Sequence, residues 1–254
     1  MAHVSRPRTP RKYRGRVHLS AAIALTANLN AARHTTLSPE VAARAVVGDH
    51  AAHHVVDHHG LLGLDPLSAS ELDAAIAAAL LLVDSDWLLA IPRPGRLAPL
   101  AGPPDLTSHA LEAGAAVVPA RSGPAWIPHA VGPAIQWLIL PARAPQLTPD
   151  PAEADRLLRQ LVVRAGRSLA DLPLGTTERP EIDPPPALPP AYGQRSQQAL
   201  ARAWQLSHAL KAALADDGDT LHLHAIEARR RTLSELRDAA DQALCAAVSW
   251  TGAD

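Results

Sequence analysis

The segment GDHAAHHVVDHHG, residues 48–60, decides how the first half of the chain is interpreted. It carries five histidines and two aspartates in thirteen positions. If the segment were helical, one face would bring together four candidate ligands, His50, His54, Asp57 and His58. Such a set could hold zinc or another divalent metal, so a metal-binding protein or a metal-dependent hydrolase is one hypothesis for the function.

An extended conformation of this segment predicts the opposite outcome. Side chains alternate along a strand, so His54 and His58 face one way while His53 and His59 face the other. We favour the strand because Gly48 is a helix stop directly before the histidines. In that case only two or three imidazoles reach one ion, whereas a catalytic zinc needs three protein ligands. A pH sensor would require two structural states, which the sequence does not show.

Two helices are predicted before this segment. Residues 18–33 repeat apolar side chains at helical spacing. In the next element Ser38 can cap the helix, Pro39 suits its first position, and Gly48 ends it. The tract therefore follows a short helix pair.

A strand–helix–strand unit is predicted around the tract. The letters SASE, residues 68–71, match a capping box before a helix that runs to about Leu82. The apolar run WLLAI, residues 87–91, is typical of a strand, and a PRPG turn ends it. If residues 52–57 form the other strand, a right-handed crossover would make the two strands parallel.

Further short elements complete the predicted sheet. A helix is expected near residues 107–113, followed by strands at AAVV (115–118), WIPHAV (126–131) and QWLIL (136–140). We expect four or five strands in mixed order.

The second half of the chain is predicted to be helical. A helix capped by Thr148 runs to about Leu172, and a proline-rich connector follows over residues 173–190. Two long helices, about 194–216 and 221–249, flank DDGD, and so short a loop predicts an antiparallel hairpin. We expect these C-terminal helices to offer a surface for a protein partner.

The predicted fold is therefore α+β: a small mixed β-sheet flanked by helices, followed by a long helix and a C-terminal antiparallel helical hairpin. The predicted divisions are a basic arm (1–16) that is expected to be disordered, an α/β sheet domain (17–147), a helix (148–172), a proline-rich connector (173–190) and the helical hairpin (191–250).

Charge is unevenly distributed along the chain. The first sixteen residues contain six basic residues and no acid, although the whole chain carries a net charge of −1. Nucleic-acid binding through this arm is a second alternative function, but an acidic body repels phosphates, so we do not expect it. No apolar run of membrane-spanning length occurs, which predicts a cytoplasmic protein that does not enter a membrane.

Recognisable catalytic and cofactor motifs are missing from the sequence. It contains no GxGxxG, no P-loop and no GxSxG elbow, and its single cysteine, Cys245, lies in an apolar helical pattern. Asp84 and Asp86 precede a strand at a turn, without a pattern that indicates catalysis. We assign no catalytic and no cofactor-binding residue, and favour a non-enzymatic intracellular interaction or regulatory protein.

Four motifs resemble a family of uncharacterised actinobacterial proteins of about this length. They are GDHAAH (48–53), IPRPGRLAPLAGP (91–103), ALEAGAAVV (110–118) and LPPAYGQRSQQALARA through ADDG (188–218). Such proteins read Gly-Asp-Asp-x-x-His at the first motif, and this chain has His50 in place of the second acid. The resemblance implies the fold outline and an intracellular location, and no activity.

Overall fold

The structure is a computed structural model that describes residues 11–146, 150–170, 182–215 and 223–249, without the side chains of 11–16 and 223–224. Contacts within the chain divide it into unit 1, Met1–Thr148, and unit 2, Pro149–Asp254. The α+β class is confirmed, with a mixed sheet in unit 1 and helices in unit 2. The finer division into an arm, a sheet domain, a connector and a hairpin stays a prediction.

Unit 1 contains one mixed sheet and four helices among its described residues. The helices are α1 (Arg11–His34), α2 (Pro39–Val47), α3 (Leu72–Leu82) and α4 (Pro104–Ala113). The strands are β1 (His53–Val56), β2 (Ser70–Glu71), β3 (Trp87–Ala90), β4 (Ala116–Pro119), β5 (Gly123–Val131) and β6 (Ala134–Ala142). Their spatial order is β2-β1-β6-β5-β4-β3, so the sheet has six strands where four or five were predicted.

The longest ladder of the sheet is the hairpin of β5 and β6. These nine-residue strands pair antiparallel from Gly123–Ala142 to Val131–Ala134. Gly132, in the turn, has φ +61°, a conformation that only glycine adopts without strain. β6 also pairs parallel with β1, and all other neighbours are antiparallel. The hairpin therefore forms the centre on which the histidine-rich strand is placed.

One face of the sheet carries a row of buried tryptophans. Trp87, Trp126 and Trp137 are fully buried, and the rings of neighbouring pairs meet edge to face at 6.2 and 6.3 Å. Such edge-to-face pairs add to the stabilisation that area burial provides. In a chain without phenylalanine, these indoles supply the large side chains of the core.

Small aliphatic side chains fill the opposite face of the sheet. Leu106, Ala110 and Ala113 of α4 pack there on alternate residues of β3 to β6, such as Leu88 and Ile127. α1 contacts β3, β4 and β5 but contributes no residue to this cluster, so it covers the tryptophan face. The sheet is thus enclosed between α1 and α4.

The first predicted helix is longer than expected, because α1 begins at Arg11 rather than at residue 18. Residues 11–16 of the predicted basic arm are therefore helical, while residues 1–10 lie outside the described residues. Side chains from Ala21 to Ala31 are all buried. The predicted start of α2 is confirmed, since Ser38 Oγ accepts the backbone N–H of Val41 at 3.4 Å and Pro39 follows the cap.

The predicted strand–helix–strand unit is wrong in its pairing. β1 and β3 are both strands, but they lie four positions apart in the sheet and run in opposite directions. The parallel neighbour of β1 is β6, because the β5–β6 hairpin is the larger apolar ladder and occupies the centre. β3 pairs antiparallel with β4 at the far edge instead.

The predicted capping box at residues 68–71 is also wrong. Ser68 donates its hydroxyl to Asp65 Oδ2 at 2.8 Å rather than capping a helix. Ser70 and Glu71 form β2, which pairs with Val55 and His54 of β1. Strand pairing takes this backbone, so α3 begins only at Leu72 and no side chain caps it.

Unit 2 is built from three long helices in its described part. They are α5 (Pro151–Ala170), α6 (Gln194–Ala215) and α7 (Leu223–Val248), and α7 contacts both others. The predicted cap Thr148 lies outside the described residues, and Asp150 Oδ1 accepts the N–H of Glu153 at 2.7 Å instead. The DDGD loop and the connector up to residue 181 also lie outside the described residues.

Candidate functional site

The histidine tract is extended where it contains β1, as the strand hypothesis predicted. His53 is buried, whereas the side chain of His54 is 44% exposed and lies 3.8 Å from Glu71 Oε1. The two neighbouring imidazoles therefore point to opposite faces of the sheet, since side chains alternate along a strand.

The other predicted ligands have separate partners. Asp57 is fully buried, and its two carboxylate oxygens accept the backbone N–H groups of Leu61 and Leu62 at 2.8 and 2.7 Å. His58 Nδ1 lies 3.1 Å from the carbonyl oxygen of Pro66. Asp57 thus stabilises the turn after β1. These hydrogen bonds offset the free-energy cost of burying its carboxylate.

These contacts do not bring the predicted metal ligands together. His50, His54, Asp57 and His58 each contact a different partner, and the structure's described residues hold no group of three or more histidine, cysteine or acidic side chains placed to bind an ion. His222 and the side chain of His224 lie outside the described part. Zinc binding by this tract stays a prediction.

His53 is held in its neutral form by its surroundings. The indole N–H of Trp137 donates to His53 Nδ1 at 3.2 Å, and His53 Nε2 lies 3.1 Å from His50 Nδ1. The neutral ring therefore carries its proton on Nε2, beside His50 Nδ1, an atom that also lies 3.1 Å from the carbonyl oxygen of Val47. Burial, and then the nearby imidazoles of His50 and His54, lower the pKa of His53 to about 4.

This lowered pKa predicts a loss of stability in acid. The unfolded chain binds a proton at His53 near pH 6.5, whereas the folded chain does so only near pH 4. His53 therefore contributes fully to the free energy of unfolding above pH 6.5. As the pH falls from 6.5 towards 4, this contribution decreases by about 1 kcal/mol per pH unit. Urea unfolding between pH 7 and 4 should show a shallower decline for His53→Gln. The exposed His58→Gln is the control, and equal slopes in all three proteins would contradict the assignment.

A second polar cluster joins the end of α1 to the start of β3. Arg33 donates from Nη1 to the carbonyl oxygen of Val83 at 2.9 Å and from Nη2 to Asp84 Oδ1 at 2.6 Å. His34 Nε2 lies 2.6 Å from Asp86 Oδ1. The hydrogen bond from Arg33, together with its charge, lowers the pKa of Asp84.

An open cavity of about 370 Å³ lies beside this cluster and is lined by Ala32, Arg33, His34 and Leu80. Its basic groups face the carboxylates of Asp84 and Asp86, so they do not supply an unneutralised charge for an anionic ligand. The sequence showed both acids at a turn. Their basic partners, about fifty positions earlier, could not be inferred, because this pairing depends on how α1 crosses the sheet.

A pair of histidines that the sequence analysis missed connects α4 with β5. The rings of His109 and His129 lie 5.5 Å apart at 89°. His109 Nδ1 and His129 Nε2 are buried and have no hydrogen-bond partner. Burial, and then the imidazole of His109, lower the pKa of His129, while Glu112 acts in the opposite direction. Neither histidine stood in a pattern that indicated a site.

The outer surface of α5 carries apolar and small side chains. Val162 is 43% and Val163 55% exposed, and Gly166 and Ala170 are exposed one and two turns further on. The buried side of the helix, with Ala154, Leu158 and Ala165, is a different stripe. The exposed arginines Arg159 and Arg167 lie on α5 close to these exposed apolar and small residues.

In the described parts of the chain, a six-stranded mixed sheet is joined in sequence to a unit with three helices, which defines an α+β protein of two units. The chain belongs to the Rv1486c-like protein family: the model of its N-terminal domain matches residues 22–155, and that of its C-terminal domain matches residues 152–245. This family carries the name of a mycobacterial protein, which agrees with the actinobacterial resemblance. Searches among curated proteins and among solved structures found no significant match. Within the described residues, no helix is long and apolar enough to cross a membrane.

Proposed function

We propose that this protein acts without catalysis, by binding a protein partner through α5, the helix that precedes the predicted C-terminal hairpin. The single observation that carries the proposal is the exposed apolar surface of α5, formed by Val162, Val163, Gly166 and Ala170. Because α5 already buries a separate stripe, this surface is not needed for packing within unit 2. We call these four residues the α5 surface.

The α5 surface suits another helix. Its residues recur at spacings of three, four and seven, so they lie along one side of α5. Glycine and alanine lack bulk, so a partner helix could approach the backbone closely, while the two valines supply apolar area.

Charge around the α5 surface indicates the chemistry of the partner. α5 carries four arginines, and the exposed Arg164 and Arg167 extend the basic border beyond the ion pairs of Arg159 with Asp155 and Arg156 with Glu153. An amphipathic helix with acidic residues beside its apolar stripe would match this border. Its binding should weaken as salt concentration rises, because exposed charges are screened.

Val163→Glu should reduce partner binding by at least about tenfold, because the new carboxylate must be desolvated in an apolar contact. The matched control is Val131→Glu at the end of β5, where the valine is also 55% exposed. Tagged full-length proteins would be cross-linked in actinobacterial cells, and captured proteins quantified by mass spectrometry. Loss of the same helical, acidic partner from Val163→Glu alone supports the proposal. Equal recovery by both variants, or no partner with wild type, contradicts it.

A further inference from the structure

We propose that His109 and His129 form a binding site for a divalent transition-metal ion, with Glu112 as the third ligand. The two rings, one on α4 and one on β5, meet edge to face and carry one buried, unpartnered nitrogen each. This site is distinct from the histidine tract of residues 48–60 and from the α5 surface.

The unpartnered nitrogens are the first argument for the site. A buried polar atom without a partner destabilises the folded chain, and the two such atoms in this pair belong to side chains that are in ring contact. Imidazole nitrogen is a preferred ligand of zinc, nickel, copper and iron, and it binds through the lone pair of its neutral form. A bound ion would give both nitrogens a partner at once.

The electrostatic surroundings of the pair suit a cation. The carboxylate of Glu112 acts electrostatically on His129, which places a negative charge near the pair. An anionic third ligand would offset part of the charge of a divalent ion.

Glu112 is positioned to complete the ligand set. It follows His109 by three residues on α4, so the two side chains lie on the same side of the helix. Two histidines and one carboxylate form a set that non-haem iron and zinc use in proteins. As the described side chains now stand, no three of them meet at an ion position, so Glu112, which is exposed, must change rotamer on binding.

His18 fixes the distance between the two elements of the site. Its Nδ1 lies 3.1 Å from the carbonyl oxygen of Ala113 at the end of α4, and its Nε2 accepts the N–H of Ala130 in β5 at 2.9 Å. Both ring nitrogens are engaged with backbone, so His18 acts as a brace and is not a ligand. The brace holds α4 against β5 next to both proposed ligands.

The test is a Co²⁺ titration of the full-length protein made without a histidine tag, followed by visible absorption of the bound ion and by Zn²⁺ competition. One equivalent of Co²⁺ should bind, and the bands should vanish on competition. His129→Ala and His109→Ala should abolish the bands, and Glu112→Gln, which removes the anionic ligand, should weaken binding at least about tenfold. Far-UV circular dichroism confirms folding, and His129→Gln replaces any alanine variant that fails to fold.

The matched control is His54→Ala, which removes an imidazole from a neighbouring part of the same sheet, and it should leave the bands unchanged. Three results would overturn the proposal: no stoichiometric binding by wild type, bands that persist in His129→Ala, or bands lost in His50→Ala, His54→Ala or His58→Ala instead. The last result would assign the ion to the histidine tract. None of these results depends on whether the α5 surface binds a partner.

Discussion

Trp126→Ala is expected to lower the free energy of unfolding by about 3–5 kcal/mol, the largest effect that we predict for a single substitution. Trp126 is fully buried in the middle of the tryptophan row, with Trp87 on one side and Trp137 on the other. Alanine would leave a cavity between the indoles of Trp87 and Trp137. The backbone cannot move to close this cavity, because β5 is fixed by its pairing with β6 along nine residues.

Trp126→Phe is the informative companion variant. The indole N–H of Trp126 is buried without a hydrogen-bond partner, so removing it sacrifices no bond. We expect Trp126→Phe to change the unfolding free energy by less than about 1.5 kcal/mol. Urea unfolding followed by far-UV circular dichroism measures both variants independently of tryptophan fluorescence. A loss below about 1 kcal/mol for Trp126→Ala would mean that the row is not a packed core.

Asn30→Ala should cost about 2–4 kcal/mol, because it leaves two buried backbone groups without partners. Asn30 is fully buried on α1 and bonds the edge strand β3 through its side chain. Its amide donates to the carbonyl oxygen of Trp87 at 2.9 Å, and its Oδ1 accepts the N–H of Trp87 at 2.8 Å. The side chain therefore takes the place of a neighbouring strand and closes this edge of the sheet.

Asn28→Ala provides a matched control on the same helix. Asn28 is also buried, but its side chain donates only to the carbonyl oxygen of Ala24 within α1, at 2.9 Å. Removing it leaves no strand edge unpaired, so we expect a loss of about 1 kcal/mol. Both variants delete the same atoms, and denaturant unfolding of each against wild type isolates the contribution of edge closure. Equal losses would contradict this role of Asn30.

The proposed partner surface and the proposed metal site differ in how far the sequence alone could predict them. The helical hairpin of residues 191–250 was predicted as the partner surface, whereas the exposed apolar residues that carry the proposal, Val162, Val163, Gly166 and Ala170, lie on the preceding helix α5. The pair of His109 and His129 gave no signal, because its members lie twenty positions apart on a helix and a strand. Only the packing of α4 on β5 brings these two rings, each with an unpartnered nitrogen, into contact.

Local patterns in the sequence determined most of the elements of this protein. The cap at Ser38, the stop at Gly48, the extended histidine tract and the long α6 and α7 all follow from preferences over a few neighbouring residues. Alternation alone predicted that His53 and His54 would separate. That is the part of the candidate site that sequence could define.

Tertiary structure alone decided what these elements meet. The parallel partner of β1 is β6 rather than β3, and SASE pairs as a strand rather than capping a helix, because strand pairing satisfies backbone groups across long sequence separations. Asn30 at the edge of β3, Arg33 with Asp84, and His53 beneath Trp137 are likewise contacts between distant residues. Their energies depend on burial and geometry that arise only when the sheet is assembled, so no local pattern encodes them.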